Sequence, residues 1–82
     1  MSPEQFKLLS DLGKLEFLQT ECTMIAKRYH GYNSYELYQS GRLYVEFQVY
    51  SRESIYRQYF SFDNTSYLEP YLENIDISGV YA

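Results

Sequence analysis

Between residues 43 and 49 the chain reads Leu43, Tyr44, Val45, Glu46, Phe47, Gln48, Val49, a strict alternation of apolar and polar positions. Only a β-strand converts that period of two into one apolar and one polar face. The pattern predicts a strand over residues 42–50, with Leu43, Val45, Phe47 and Val49 turned to a core. Tyr44, Glu46, Gln48 and Tyr50 are then turned to water. Period-two segments also occur at residues 23–30, 35–39 and 55–62. Turn-forming clusters separate them at residues 30–34, 40–41 and 51–54. The sequence therefore predicts a four-stranded antiparallel meander.

Both ends of the chain change period. Ser2, Pro3 and Gln5 have the spacing of a capping box with proline at the first helical position, so a helix is expected to start at Pro3. Phe6, Leu9 and Leu12, flanked by Leu8 and Leu15, give it an apolar stripe able to cover a sheet. Gly13 costs about 1 kcal/mol in a helix interior, and the helix is expected to run through it to about Leu18. A second, short helix is expected over residues 67–75. Ser66 and Glu69 are at capping-box spacing there, Pro70 is near its start, and Leu68, Tyr71, Leu72 and Ile75 form its apolar side. Residues 76–82 read as a tail. The expected fold is an α+β single domain, residues 1–82, in the order α-β-β-β-β-α, with both helices on one face of the sheet.

Register decides which side chains share a face, because a slip of one residue inverts them all. A two-residue turn between the second and third strands puts Glu36 on the side of Val45, and an unpaired buried carboxylate costs several kcal/mol. A three-residue loop through Arg42 is therefore expected, pairing Leu37 with Val45 and Tyr35 with Phe47. A four-residue loop at 51–54 sets Tyr50 opposite Ile55 and Val45 opposite Phe60. On this register Tyr35, Leu37, Leu43, Val45, Phe47, Val49, Tyr56, Phe60 and Phe62 face the core, with Gln58 awkwardly among them. Tyr38, Tyr44, Tyr50 and Tyr59 stand outside around Glu36, Glu46, Gln48 and Arg57.

Composition gives that outer face its interest. Eleven of 82 residues are tyrosine and none is tryptophan. Tyrosine combines a large contact area and little rotamer entropy with a hydroxyl that bonds either way, which suits it to recognition surfaces. Cross-strand pairing alone also favours tyrosine on exposed strands. Tyr32, with His30, is expected at the tip of a turn and extends the candidate surface to a loop. The expected partner-binding residues are Tyr32, Tyr38, Tyr44, Glu46, Gln48, Tyr50, Arg57 and Tyr59.

Charge narrows the choice of partner. The net charge is -4, and all seven Lys and Arg lie within residues 1–57. Asp63, Glu69, Glu73 and Asp76 carry the excess, a patch that repels phosphates and attracts basic surfaces. A strand of nucleic acid could stack on an aromatic sheet, but phosphate contacts need several free Lys and Arg, so nucleic acid is the secondary reading. The chain lacks a basic segment followed by an apolar run at its start and has no apolar stretch of membrane-spanning length. A lone cysteine, Cys22, forms no internal disulfide. A cytoplasmic protein without a membrane partner is expected.

Enzymatic signals are thin. Glu36 and Glu46 come out opposite each other in the expected register, and two close carboxylates can share a proton or hold a hard cation. Arg57, expected diagonal to Glu46, would neutralise one of them. Cys22 and His30 fall toward opposite ends of one strand, too far apart for a dyad. No phosphate-cradling glycine loop or nucleophile motif is present. The sequence reading is a non-catalytic binding module without a cofactor. Its partner is another protein or a second copy of the chain, and a small acidic inhibitor or immunity-type protein is the sharper form of that reading.

Overall fold

The computed structural model describes residues 1–52 and 54–71. Helix α1 (Pro3–Lys7) begins where the capping box places it: the Gln5 amide donates to Ser2 Oγ at 3.1 Å and the Ser2 amide to Gln5 Oε1 at 2.9 Å. The expected continuous helix is interrupted, however. Ser10 caps a second helix, α2 (Asp11–Glu21), by accepting the Gly13 amide at 3.0 Å. The break falls at the serine rather than the glycine because a Ser side chain can satisfy one of the amides that a helix start leaves unpaired. Gly13 then lies in a first turn, and the helix continues past Leu18 to Glu21.

Four strands follow, β1 (Thr23–His30), β2 (Asn33–Ser40), β3 (Leu43–Tyr50) and β4 (Tyr56–Phe62), paired antiparallel in the order β1-β2-β3-β4. The meander and the α+β class are as the sequence predicts. The first two connections are both two-residue turns, Gly31-Tyr32 and Gly41-Arg42, with glycine φ values of 62° and 60°. A positive φ at the first central position suits the twist of a hairpin and is costly for any residue with a Cβ. β1 carries a bulge between Met24 and Ala26.

These turns correct the expected register. Leu37 pairs with Glu46 and Tyr38 with Val45, one residue away from the three-residue loop solution. The β3–β4 connection spans residues 51–55, so Tyr50 pairs with Tyr56, Glu46 with Phe60 and Val45 with Ser61. One face, here the aliphatic face, carries Leu43, Val45, Phe47 and Val49 together with Glu36, Tyr38, Arg57 and Tyr59. The other, the phenolic face, carries Tyr35, Leu37, Tyr44, Glu46, Gln48, Tyr50, Tyr56, Gln58, Phe60 and Phe62. Glu36 tolerates the aliphatic face because it is half-buried rather than sealed, and it has its own donors, Lys27 Nζ at 3.5 Å and Tyr38 Oη at 2.9 Å.

Each face has its own cover, which corrects the expectation that both helices pack on one side. Phe6 and Leu18, from α1 and α2, close on Leu43 and Val45 of the aliphatic face. Ser61 Oγ ties this layer by donating to the Pro3 carbonyl at 3.0 Å. On the phenolic face, Leu68 and Tyr71 close on Ala26, Leu37 and Phe62. They belong to a 3-10 helix, Thr65–Tyr71. Asn64 starts it in place of the expected Ser66, its Oδ1 accepting the Ser66 amide at 2.9 Å. Pro70 lies inside it and has no amide to offer an α-helical ladder. The expected continuation to residue 75 and the tail at 76–82 lie outside the described residues.

Candidate functional site

The eight residues expected at the binding surface divide between the two faces and a turn. Tyr44, Glu46, Gln48 and Tyr50 do share the phenolic face. Tyr44 stacks on Phe62 with ring centroids 5.4 Å apart and packs against the second core, so it is more structural than available. Glu46 is buried. Its Oε2 accepts from Tyr71 Oη at 2.5 Å and lies 3.5 Å from the Arg28 guanidinium, while Oε1 accepts from Gln48 Nε2 at 2.5 Å. Tyr50 Oη donates to Gln48 Oε1 at 3.0 Å, extending the line of bonds outward from the carboxylate.

Tyr38, Arg57 and Tyr59 lie on the aliphatic face instead, as the register correction requires. Tyr38 is half-buried, and burial, followed by its bond to Glu36, pushes its phenol up to about 12. The Tyr59 ring is wedged between Phe6, at 6.0 Å, and Phe47, at 5.0 Å, with the Lys14 ammonium 5.7 Å from its centre. The paired carboxylates expected of Glu36 and Glu46 do not exist: the two point to opposite faces, each with its own donors. Arg28, not Arg57, is the cation beside Glu46.

Tyr32 occupies the tip of the first turn, 69% exposed, with its carbonyl accepting from Ser51 Oγ at 2.6 Å. That bond ties the β1–β2 turn to the β3–β4 connection, and the end of the sheet they share is where tyrosines gather. Tyr35 meets Tyr50 edge-on at 6.2 Å, and Tyr50 meets Tyr56 at 6.0 Å. Arg28 lies flat over Tyr35, its central carbon 3.9 Å from the ring centre, and 5.2 Å from the Tyr71 ring. Among the described residues its Nε is buried and unbonded. Burial, then the Glu46 bond, raises the pKa of Tyr71, and burial followed by Tyr35 raises that of Tyr50.

Sequence reasoning missed Arg28, Tyr35, Tyr56 and Tyr71. It assigned Tyr35 and Tyr56 to the core, and it placed Tyr71 on the apolar side of the second helix without linking its hydroxyl to Glu46. For Arg28 and Tyr35 the two Gly-X turns carried the missing information, since a Gly-X pair is a standard two-residue hairpin connection that fixes the β1–β2–β3 register. The face of Tyr56 depended on the length of the 51–55 connection instead.

A second concave feature lies on the aliphatic side, between α2 and the exposed start of β4. This groove of about 860 Å³ is lined by Leu12, Leu15, Phe47 and Ile55 together with the charged Asp11 and Arg57. The helix covers only part of the face and leaves Leu12 67% and Ile55 70% exposed.

Among the described residues no group of three His, Cys, Asp or Glu side chains is placed to hold a metal ion, and no helix is long and apolar enough to cross a membrane. Cys22 follows α2 at the opposite end of β1 from His30, and burial, then Glu21, raises its thiol pKa, away from nucleophilic thiolate character. Comparison of the chain with protein-family models, curated proteins and solved structures finds no match.

Proposed function

We propose that the chain is a non-catalytic protein-binding module whose contact surface is the tyrosine-lined end of the sheet, formed by Tyr32, Tyr35, Tyr50 and Tyr56 with Gln48. The observation that carries the reading is the mutual support of the Tyr35, Tyr50 and Tyr56 rings, beside a turn whose Tyr32 carbonyl is tied to Ser51. Tyr50 is held by Tyr35, Tyr56 and the Gln48 amide at once, so the surface is ordered before a partner arrives. Side chains already fixed lose little freedom on association, and phenols supply both apolar area and hydrogen bonds. The net charge of -4 favours a basic partner surface, as in a small acidic inhibitor. Nucleic acid is disfavoured on this face because Glu46 neutralises Arg28.

The test compares the full chain with a Tyr32→Ser/Tyr50→Ser variant, both immobilised and exposed to the same cell extract, after circular dichroism confirms that both are folded. A protein retained by the parent chain and lost by the variant supports the reading. An identical retained set removes it. Tight oligonucleotide binding that weakens steeply with salt would install nucleic acid as the ligand instead.

A further inference from the structure

The two edges of the sheet are defended unequally. β1 carries the bulge at Met24/Ala26 and the more exposed charge of Lys27, devices that discourage strand addition. β4 has no bulge in its register with β3. Among the described residues, no hydrogen bond from another element reaches its outer backbone; the only tether is the Ser61 hydroxyl to Pro3. Its first residues, Tyr56, Arg57 and Gln58, are exposed. An unpaired row of amides and carbonyls is a template for another strand.

We propose that β4 pairs antiparallel with β4 of a second copy of this chain about a two-fold axis at Gln58, joining two sheets into one of eight strands. The side chains around Gln58 are self-complementary in this register. Pairing Gln58 with its own symmetry mate sets Tyr56 opposite Phe60 of the second copy. Phe60 meets Tyr67 edge-on at 5.2 Å, and Tyr56 and Tyr67 are 59% and 51% exposed. Each phenolic face would thus receive the other copy's Tyr56 against an aromatic pair that already exists.

The opposite face supplies charge complementarity. The same register sets Arg57 opposite Tyr59 of the second copy, in the groove that also holds Asp11. Among the described residues neither Asp11 nor Arg57 forms an ion pair within its own copy. The two-fold axis would bring Arg57 of each copy to the Asp11 side of the other, a pair that occurs twice. Two-fold pairing of this kind uses up the β4 edge and leaves only the bulged β1 edge on each side, so assembly stops at two copies.

The register is testable by cross-linking. In a Cys22→Ala background, Gln58→Cys would bring two symmetry-related Cα atoms to about 4.5–5.5 Å, within disulfide reach. The expected result is a covalent dimer under mild oxidation, while Lys27→Cys on the opposite edge stays monomeric. Sedimentation equilibrium of the unmodified chain should show a monomer–dimer equilibrium. Arg57→Glu should weaken it at least about tenfold, and Arg57→Glu/Asp11→Arg should restore it. A chain that remains monomeric to about 1 mM, where any association would be worth no more than about 4 kcal/mol, overturns the proposal. So does a dimer indifferent to Arg57→Glu, or cross-linking of Lys27→Cys in place of Gln58→Cys.

Discussion

The sheet is finished differently on its two sides. On the aliphatic face, Phe6 and Leu18 meet Leu43 and Val45, and apart from the Ser61–Pro3 hydrogen bond the contact asks for apolar area and a fitting shape. On the phenolic face, Leu68 and Tyr71 dock beside a buried carboxylate that accepts from a phenol and an amide and is ion-paired with a guanidinium. The first kind of contact tolerates error in direction. The second does not, because a buried acceptor or donor left without its partner costs more than the bond itself contributes. Both sides thus bury an apolar cluster, but only the phenolic side adds a buried polar group that fixes the position of its cover.

Truncation provides the strongest challenge to this contrast. Phe6→Ala removes a fully buried ring and should destabilise the fold by about 3–5 kcal/mol in urea unfolding. A loss under about 1 kcal/mol would show that the aliphatic contact does not depend on buried apolar area. The polar side should respond next most strongly and in a different way. Glu46→Leu leaves Arg28, Gln48 and Tyr71 facing an apolar group and should cost about 2–3 kcal/mol. Adding Arg28→Met and Tyr71→Phe should recover part of that loss, since apolar groups replacing a whole polar cluster are often tolerated. Costs that simply accumulate would erase the distinction between the faces.

Alkali should give the smallest effect. Tyr38 on one face and Tyr71 on the other both have phenol pKa values raised by burial first and a glutamate second. A raised folded-state pKa means that the native state holds protons that the unfolded chain has released, so stability is intact below about pH 10 and falls as pH rises above it. For Tyr38 the loss extends to about pH 12. Thermal midpoints measured between pH 9 and 12 should decline, less so in Tyr71→Phe and Tyr38→Phe. A flat profile in the parent chain would contradict the burial of these phenols.

Much of the architecture was legible in local chemistry. The alternation at residues 43–49, the Ser2–Gln5 capping box and the order of strands all rest on near neighbours, and the structure contains them. The distribution of side chains between faces was not legible in the same way. It hung on a glutamate: keeping Glu36 away from the aliphatic row shifted the β2–β3 pairing by one residue. Either register places a carboxylate under a cover, and the choice depends on which one finds donors. Glu46 finds Tyr71, 25 residues further along, together with Arg28 two strands away. Such distant partners leave no periodic trace. Tyr59 and Tyr38 consequently moved from the expected surface to the helix-covered side, and Tyr35 and Tyr56 moved onto the candidate surface.

The bond between Tyr71 and Glu46 also orders events in time. A ribosome makes the acceptor on β3 well before the phenol that will satisfy it, while Phe6 and Leu18 precede the whole sheet. A nascent chain can therefore assemble its oily layer as β3 emerges, while Glu46, with Arg28 and Gln48 already made, stays open to water where its phenol partner is missing until residue 71 is available. Docking of the 3-10 helix is the step that excludes water from that site and ends the hydrated interval.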